Sequence, residues 1–88
     1  MSPAMLGEKE LYPAEIHFGV VAETPFAHQH ALLGALAGCD VTAPLEPGPP
    51  SRSGRYATFR VSVRCASRDE HENLSAALAK APGVKMVL

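Results

Sequence analysis

The stretch from Tyr56 to Cys65, YATFRVSVRC, places a small or apolar residue at every second position: Ala57, Phe59, Val61, Val63 and Cys65. Tyr56, Thr58, Arg60, Ser62 and Arg64 fall between them. Ten residues of period 2 specify a strand with one face in a core and the other in solvent. Two such faces require a sheet and a layer to cover one side of it.

The rest of the chain supplies both. AEIHFGVVA, 14–22, alternates in the same way, with Ile16, Phe18, Val20 and Ala22 inward and Glu15, His17, Gly19 and Val21 outward. ETPFAHQHALLGALAG, 23–38, predicts a helix capped by Thr24 with Pro25 in its first position. Its expected buried stripe is Phe26, His30, Leu33 and Ala37, flanked by Leu36, with Gly38 as the left-handed terminator. Gly34 is expected to let this helix sit close to the sheet. CDVTAPLE, 39–46, predicts a strand with Val41, Ala43 and Leu45 inward, and Pro44 confines it to an edge. PLEPGPPSRSG, 44–54, reads as a turn or mobile loop. After the 56–65 strand, Ser67 and Glu70 form a capping box, and Leu74, Ala77, Leu78 and Ala81 make the buried stripe of a second helix. VKMVL, 84–88, closes the chain as a strand with Val84, Met86 and Leu88 inward.

The order β-α-β-β-α-β, with right-handed crossovers, predicts an α+β ferredoxin-like fold: an antiparallel sheet ordered 4-1-3-2 with two helices on one face. With 88 residues the chain is expected to form one domain over 13–88, preceded by a flexible lead-in at 1–12. The N-terminus lacks the basic and apolar regions of a secretory signal, no apolar run is long enough for a membrane span, and a cytoplasmic location is expected.

A net charge of −1 argues against broad electrostatic binding to DNA or membranes. The charge is uneven, with six acids and one base in residues 1–51 but seven bases and three acids in 52–88. Arg52, Arg55, Arg60 and Arg64 crowd the segment around the third strand. Strands 1 and 3 run antiparallel, so Glu15 is expected beside Arg64 as a cross-strand ion pair. His28 and His30 stand about 200° apart on a helix and are not expected to share a metal ion. Cys39 and Cys65 have no C-x-x-C spacing; both are expected on inward faces of the 39–46 and 56–65 strands, where they could be neighbours, as two small buried thiols. No nucleophile elbow, Gly-rich phosphate loop, H-E-x-x-H motif or tuned carboxylate pair is present, so no catalytic residue, metal or cofactor is expected.

The run SRSGRYATFRVSVRCASRDEHENLSAALAKAPGVKMVL, with its Ser53-Gly54-Arg55-Tyr56 turn and its Val84-Lys85-Met86-Val87-Leu88 end, resembles the C-terminal half of the YbeD-like proteins. These are small bacterial proteins of unknown function. LYPAEIHFGV is similar to the family's opening, and the 44–54 loop is longer and richer in proline than the family's. The resemblance implies a ferredoxin-like fold similar to ACT domains, which bind small metabolites and regulate enzymes. Some members are described as lipoate-related regulators.

The residues and the resemblance together predict a non-enzymatic, ACT-like regulatory or ligand-binding domain that acts through a protein partner or as a homodimer. The candidate binding residues are His17, Tyr56, Arg60 and Arg64 on the open sheet face, with Thr24 and His28 at the turn into the first helix, where helical amides favour an anion. Single-stranded RNA on the same face is the alternative, disfavoured because Phe59 points inward and leaves Tyr56 as the outward aromatic of that strand. A structural adaptor docking through the 44–54 loop is the third reading.

Overall fold

The computed structural model describes residues 11–88. Its elements are β1 (Ala14–Glu23), α1 (Gln29–Leu36), β2 (Asp40–Pro50), β3 (Tyr56–Cys65), α2 (Arg68–Ala79) and β4 (Val84–Val87). The sheet order is β2-β3-β1-β4, with every neighbouring pair antiparallel. This is the expected α+β ferredoxin-like arrangement, and both helices contribute to the core on one face.

β1 and β3 pair through ten successive partners from Ala14↔Cys65 to Glu23↔Tyr56 without a shift. Phe18, Val20, Phe59, Val61, Val63 and Cys65 are buried against Leu32 and Leu36 of α1 and Leu74 and Leu78 of α2. The period-2 assignment of both strands therefore holds.

The edge strands depart from expectation, and for one reason. β2 continues through the proline-rich segment to Pro50. An edge strand leaves one row of backbone groups unpaired, and three register shifts along β2–β3 accommodate the prolines. The turn shrinks to residues 51–55, closed by the Ser51 amide donating to the Tyr56 carbonyl. The first shift turns Ala43 out, opposite Ser62, instead of inward; Val41, opposite Val63, keeps the core side but is exposed at the edge, and Leu45 is half-buried against the core. In β4, a bulge places Ala22 opposite Val84 but Val20 opposite Val87. The extra residue reverses the alternation, so Val84 and Val87 face the core while Met86 and Leu88, expected inward, are exposed.

Helix α1 differs most. It begins at Gln29, with His28 at the N-cap position and no side-chain cap bond. The cis Thr24–Pro25 peptide bond lies upstream of it in irregular chain. Leu32 and Leu36 form the buried stripe, while His30 and Leu33, assigned to it from the sequence, are exposed. A Cβ on Gly34 would meet nothing within 4 Å, so this glycine marks no close approach to the sheet. Gly38 does take the left-handed conformation expected of a terminator, at φ +82°.

In α2, Ser67 Oγ accepts from the Glu70 amide at 3.2 Å, half of the expected capping box. The Glu70 carboxylate turns one residue further back and accepts from the Ala66 amide at 3.1 Å. Leu74, Leu78 and Ala81 are buried as expected; Ala77 is exposed. Of the expected lead-in, residues 1–10 lie outside the described residues. Tyr12 is packed, its hydroxyl 2.8 Å from His71 Nδ1. No helix among the described residues is long and apolar enough to cross a membrane.

Candidate functional site

The side of the sheet away from the helices carries the outward residues of β1 and β3. Their registers follow directly from the pairing: Glu15 lies opposite Arg64, His17 opposite Ser62, Gly19 opposite Arg60, and Val21 opposite Thr58. Gly19 has no side chain to fill its place in this row. The result is a depression of about 480 Å³ lined by His17, Gly19, Thr58, Arg60, Ser62 and Leu88. That volume falls within the range of small-molecule sites.

Leu88 reaches the depression because the ladder runs past β4. The Gly19 amide donates to the Leu88 carbonyl at 3.1 Å and the Leu88 amide donates to the Gly19 carbonyl at 2.7 Å. The bulge in β4 then sends the Leu88 side chain outward, so one wall of the depression is apolar and the facing wall carries Arg60.

His17 is held from both sides. Its Nδ1 lies 2.7 Å from Ser62 Oγ, and its Nε2 lies 3.5 Å from Glu15 Oε1. These two contacts engage both ring nitrogens. Ser62 is 9% exposed on an otherwise open face because the imidazole covers it. The Glu15–His17–Ser62 line orients the imidazole at the rim of the depression. The Gly19 amide nearby is committed to the β4 ladder.

Glu15 and Arg64 are opposed in register, but no ion pair closes between them among the described residues. The Glu15 carboxylate lies with His17 instead, correcting the expected cross-strand pair. Arg60 is likewise opposite Glu46 of β2 without forming an ion pair with it among the described residues. Its guanidinium remains available to a ligand.

Of the candidate binding residues, the fold brings together His17 and Arg60. Thr24 and Tyr56 line a separate hollow of about 220 Å³ with Glu23 and Arg55 at the far end of the strands. The Thr24 hydroxyl there donates to the Gly54 carbonyl, so it caps no helix. The turn from Glu23 to His28 is not helical and offers no run of free helical amides to an anion. His28 packs near Phe26 and His30, with ring centroids 6.1 and 6.3 Å away, outside both hollows. Arg64 lines neither hollow. Among the described residues no cluster of three or more metal-ligating side chains occurs.

Gly19, Thr58, Ser62 and Leu88 were not singled out from the sequence. Three of them were within reach: the register that sets Glu15 against Arg64 also sets His17 against Ser62, Gly19 against Arg60 and Val21 against Thr58. Leu88 was not, because its orientation depends on the bulge.

A family whose description is "protein of unknown function (DUF493)" matches residues 8–88. The chain belongs to this family, the YbeD family. The solution structure of HP0495 from H. pylori is similar in fold, at a TM-score of 0.71 and 17% identity. The likeness covers 100% of this chain and 94% of that one. No curated protein matches the chain.

Proposed function

We propose that this YbeD-family chain is a small, non-enzymatic, ACT-like domain of the cytoplasm that binds a small anionic ligand on its open sheet face. It passes the signal to a protein partner or to a second copy of itself. The observation that carries this reading is the gap at Gly19, which places the uncommitted Arg60 guanidinium and the braced His17 imidazole around one hollow beside an apolar Leu88 wall. A cation, a fixed hydrogen-bonding ring and an apolar surface suit a carboxylate or phosphate carried on a short apolar body.

The RNA reading draws less support. Phe59 is buried at 9% exposure, and His17, the other ring on the face, is tied to Ser62 and Glu15. The adaptor reading loses most of its loop to β2.

The test is a thermal-shift screen of carboxylate and phosphate metabolites against the wild type, Arg60→Ala and Gly19→Val. A Cβ at Gly19 would meet Leu88 Cβ at 3.6 Å and Thr58 Cγ2 at 3.8 Å, ordinary contacts, so a side chain can start there and occupy the hollow. At least one compound is expected to raise the melting temperature of the wild type, and both variants are expected to lose that rise. A compound that shifts all three proteins equally would place the ligand elsewhere. Binding of a single-stranded homopolymer that falls steeply with salt and with Tyr56→Ala would favour RNA.

A further inference from the structure

On the other side of the sheet, the last paired residues of β2 and β3 are Asp40↔Arg64, followed inward along the hairpin by Val41↔Val63. Beyond Asp40 and Arg64 stand Cys65, the last residue of β3, and Cys39, at the bend that leads into β2. Both lie on the helix side of the sheet. A disulfide between them needs Cα atoms roughly 4.4–6.8 Å apart.

The two thiols line one hollow of about 260 Å³, between the end of α1 and the middle of α2, together with Ala35, Glu70, Asn73 and Ala77. Their accessibility differs. Cys65 is 1% exposed, whereas Cys39 is half-buried at the mouth, its thiol directed to the Ala35 carbonyl at 3.8 Å. A reachable thiol beside a shielded one is the arrangement of an attacking and a resolving cysteine.

We propose that Cys39 and Cys65 are a thiol–disulfide exchange site that closes an intramolecular disulfide at the expense of a small-molecule disulfide such as oxidised glutathione. The Cys39 thiolate attacks one sulfur of the small disulfide, which forms a mixed disulfide and expels one small thiolate. Cys65 then loses its proton to water through the hollow and attacks the Cys39 sulfur. The S–S bond of the mixed disulfide breaks and the second small thiolate leaves. Two protein thiols are oxidised, one small disulfide is reduced to two thiols, and no other electron acceptor is required. Burial, the Glu70 carboxylate and the neighbouring Cys39 all push the Cys65 thiol up, which keeps it protonated until the second step. The new bond ties the exit of α1 to the entry of α2, across the hollow.

The experiment exposes the reduced full chain to glutathione buffers of increasing oxidised fraction, followed by acid quenching, alkylation and intact mass measurement. The wild type is expected to lose two hydrogens, to resist alkylation at both cysteines, and to melt on the order of 10 °C higher than the reduced form. Cys65→Ser is expected to stop with one glutathione on Cys39, and Cys39→Ser to remain unmodified. Cys65→Ala serves in place of Cys65→Ser if the buried hydroxyl prevents folding. A wild type that stops at the mixed disulfide, or keeps both thiols free at a poise where the Cys65 variant is fully glutathionylated, would overturn the proposal. So would a Cys65 variant that takes up no glutathione at any poise.

Discussion

The central pair β1–β3 and the edge strands β2 and β4 belong to one sheet, yet they relate to their sequences differently. Between β1 and β3 the register runs unbroken through ten partners, and each residue faces the side its alternation assigns. β2 shifts register three times against β3, and β4 once against β1. A central strand has neighbours on both sides, so one extra residue would disrupt two ladders and turn its apolar set out of the core. An edge strand answers to one ladder and can absorb a bulge. The difference has a functional side. The bulge in β4 turns Leu88 outward, and the unbroken register of the centre sets Gly19 beside His17 and opposite Arg60, so the hollow on the open face needs both behaviours.

The largest expected effect tests this contrast in the core. Phe18 is 3% exposed in β1, and Phe18→Ala should destabilise the protein by about 3–5 kcal/mol, part transfer and part cavity. Met86, which the unbulged alternation would bury, is 51% exposed, and Met86→Ala should change stability by less than about 0.5 kcal/mol. Urea titrations of the two variants read both values. A cost above about 2 kcal/mol for Met86→Ala would restore the unbulged β4 and break the comparison.

This contrast also explains what the sequence made legible. Fold class, strand order, the core of β1 and β3 and the Ser67 cap all rest on local patterns that neighbours on both sides reinforce. The hollow was half legible: His17 and Arg60 follow from alternation, and Ser62 from the pairing register. The α1 phase was not legible. Phe26, His30, Leu33 and Ala37 satisfy a helical spacing as well as Leu32 and Leu36 do, and the irregular chain around Thr24–Pro25 delays the helix start to Gln29. The proline-rich strand was hidden too, since proline content argues for a loop wherever edge position is not yet known.

A smaller effect separates two glycines on the strands that flank β3. A Cβ on Gly48 of β2 would meet the Thr58 carbonyl oxygen at 3.0 Å, backbone that has little room to yield. Gly48→Ala should therefore cost about 1–3 kcal/mol, as overpacking does. Gly19→Ala, in the central strand, gains ordinary van der Waals contact and should be close to neutral in stability. Thermal unfolding of the two single variants distinguishes them. If Gly48→Ala proved neutral, the edge strand would be loose enough to slide, and its register shifts would be one of several arrangements. If Gly19→Ala carried the larger cost, the open-face hollow would be narrower than its lining shows.

The smallest effect concerns what an unbroken register does not decide. Pairing places Glu15 opposite Arg64, and opposed charges on neighbouring strands are worth roughly 0.2–1 kcal/mol when their side chains meet. They do not meet here, since Glu15 Oε1 lies 3.5 Å from His17 Nε2 and that contact keeps the carboxylate on its own strand. Arg64→Ala should accordingly shift stability by less than about 0.5 kcal/mol. Glu15→Gln should give the same small stability change and, through the loss of charge beside the imidazole, weaken the brace on His17. A double-mutant cycle over Glu15 and Arg64 measures the coupling directly and should return a value near zero, whereas the cycle over Glu15 and His17 should not. A coupling of about 1 kcal/mol between Glu15 and Arg64 would mean that the carboxylate swings across the strands. His17 would then be held by Ser62 alone, and the ring at the rim of the hollow would be free to turn toward a ligand.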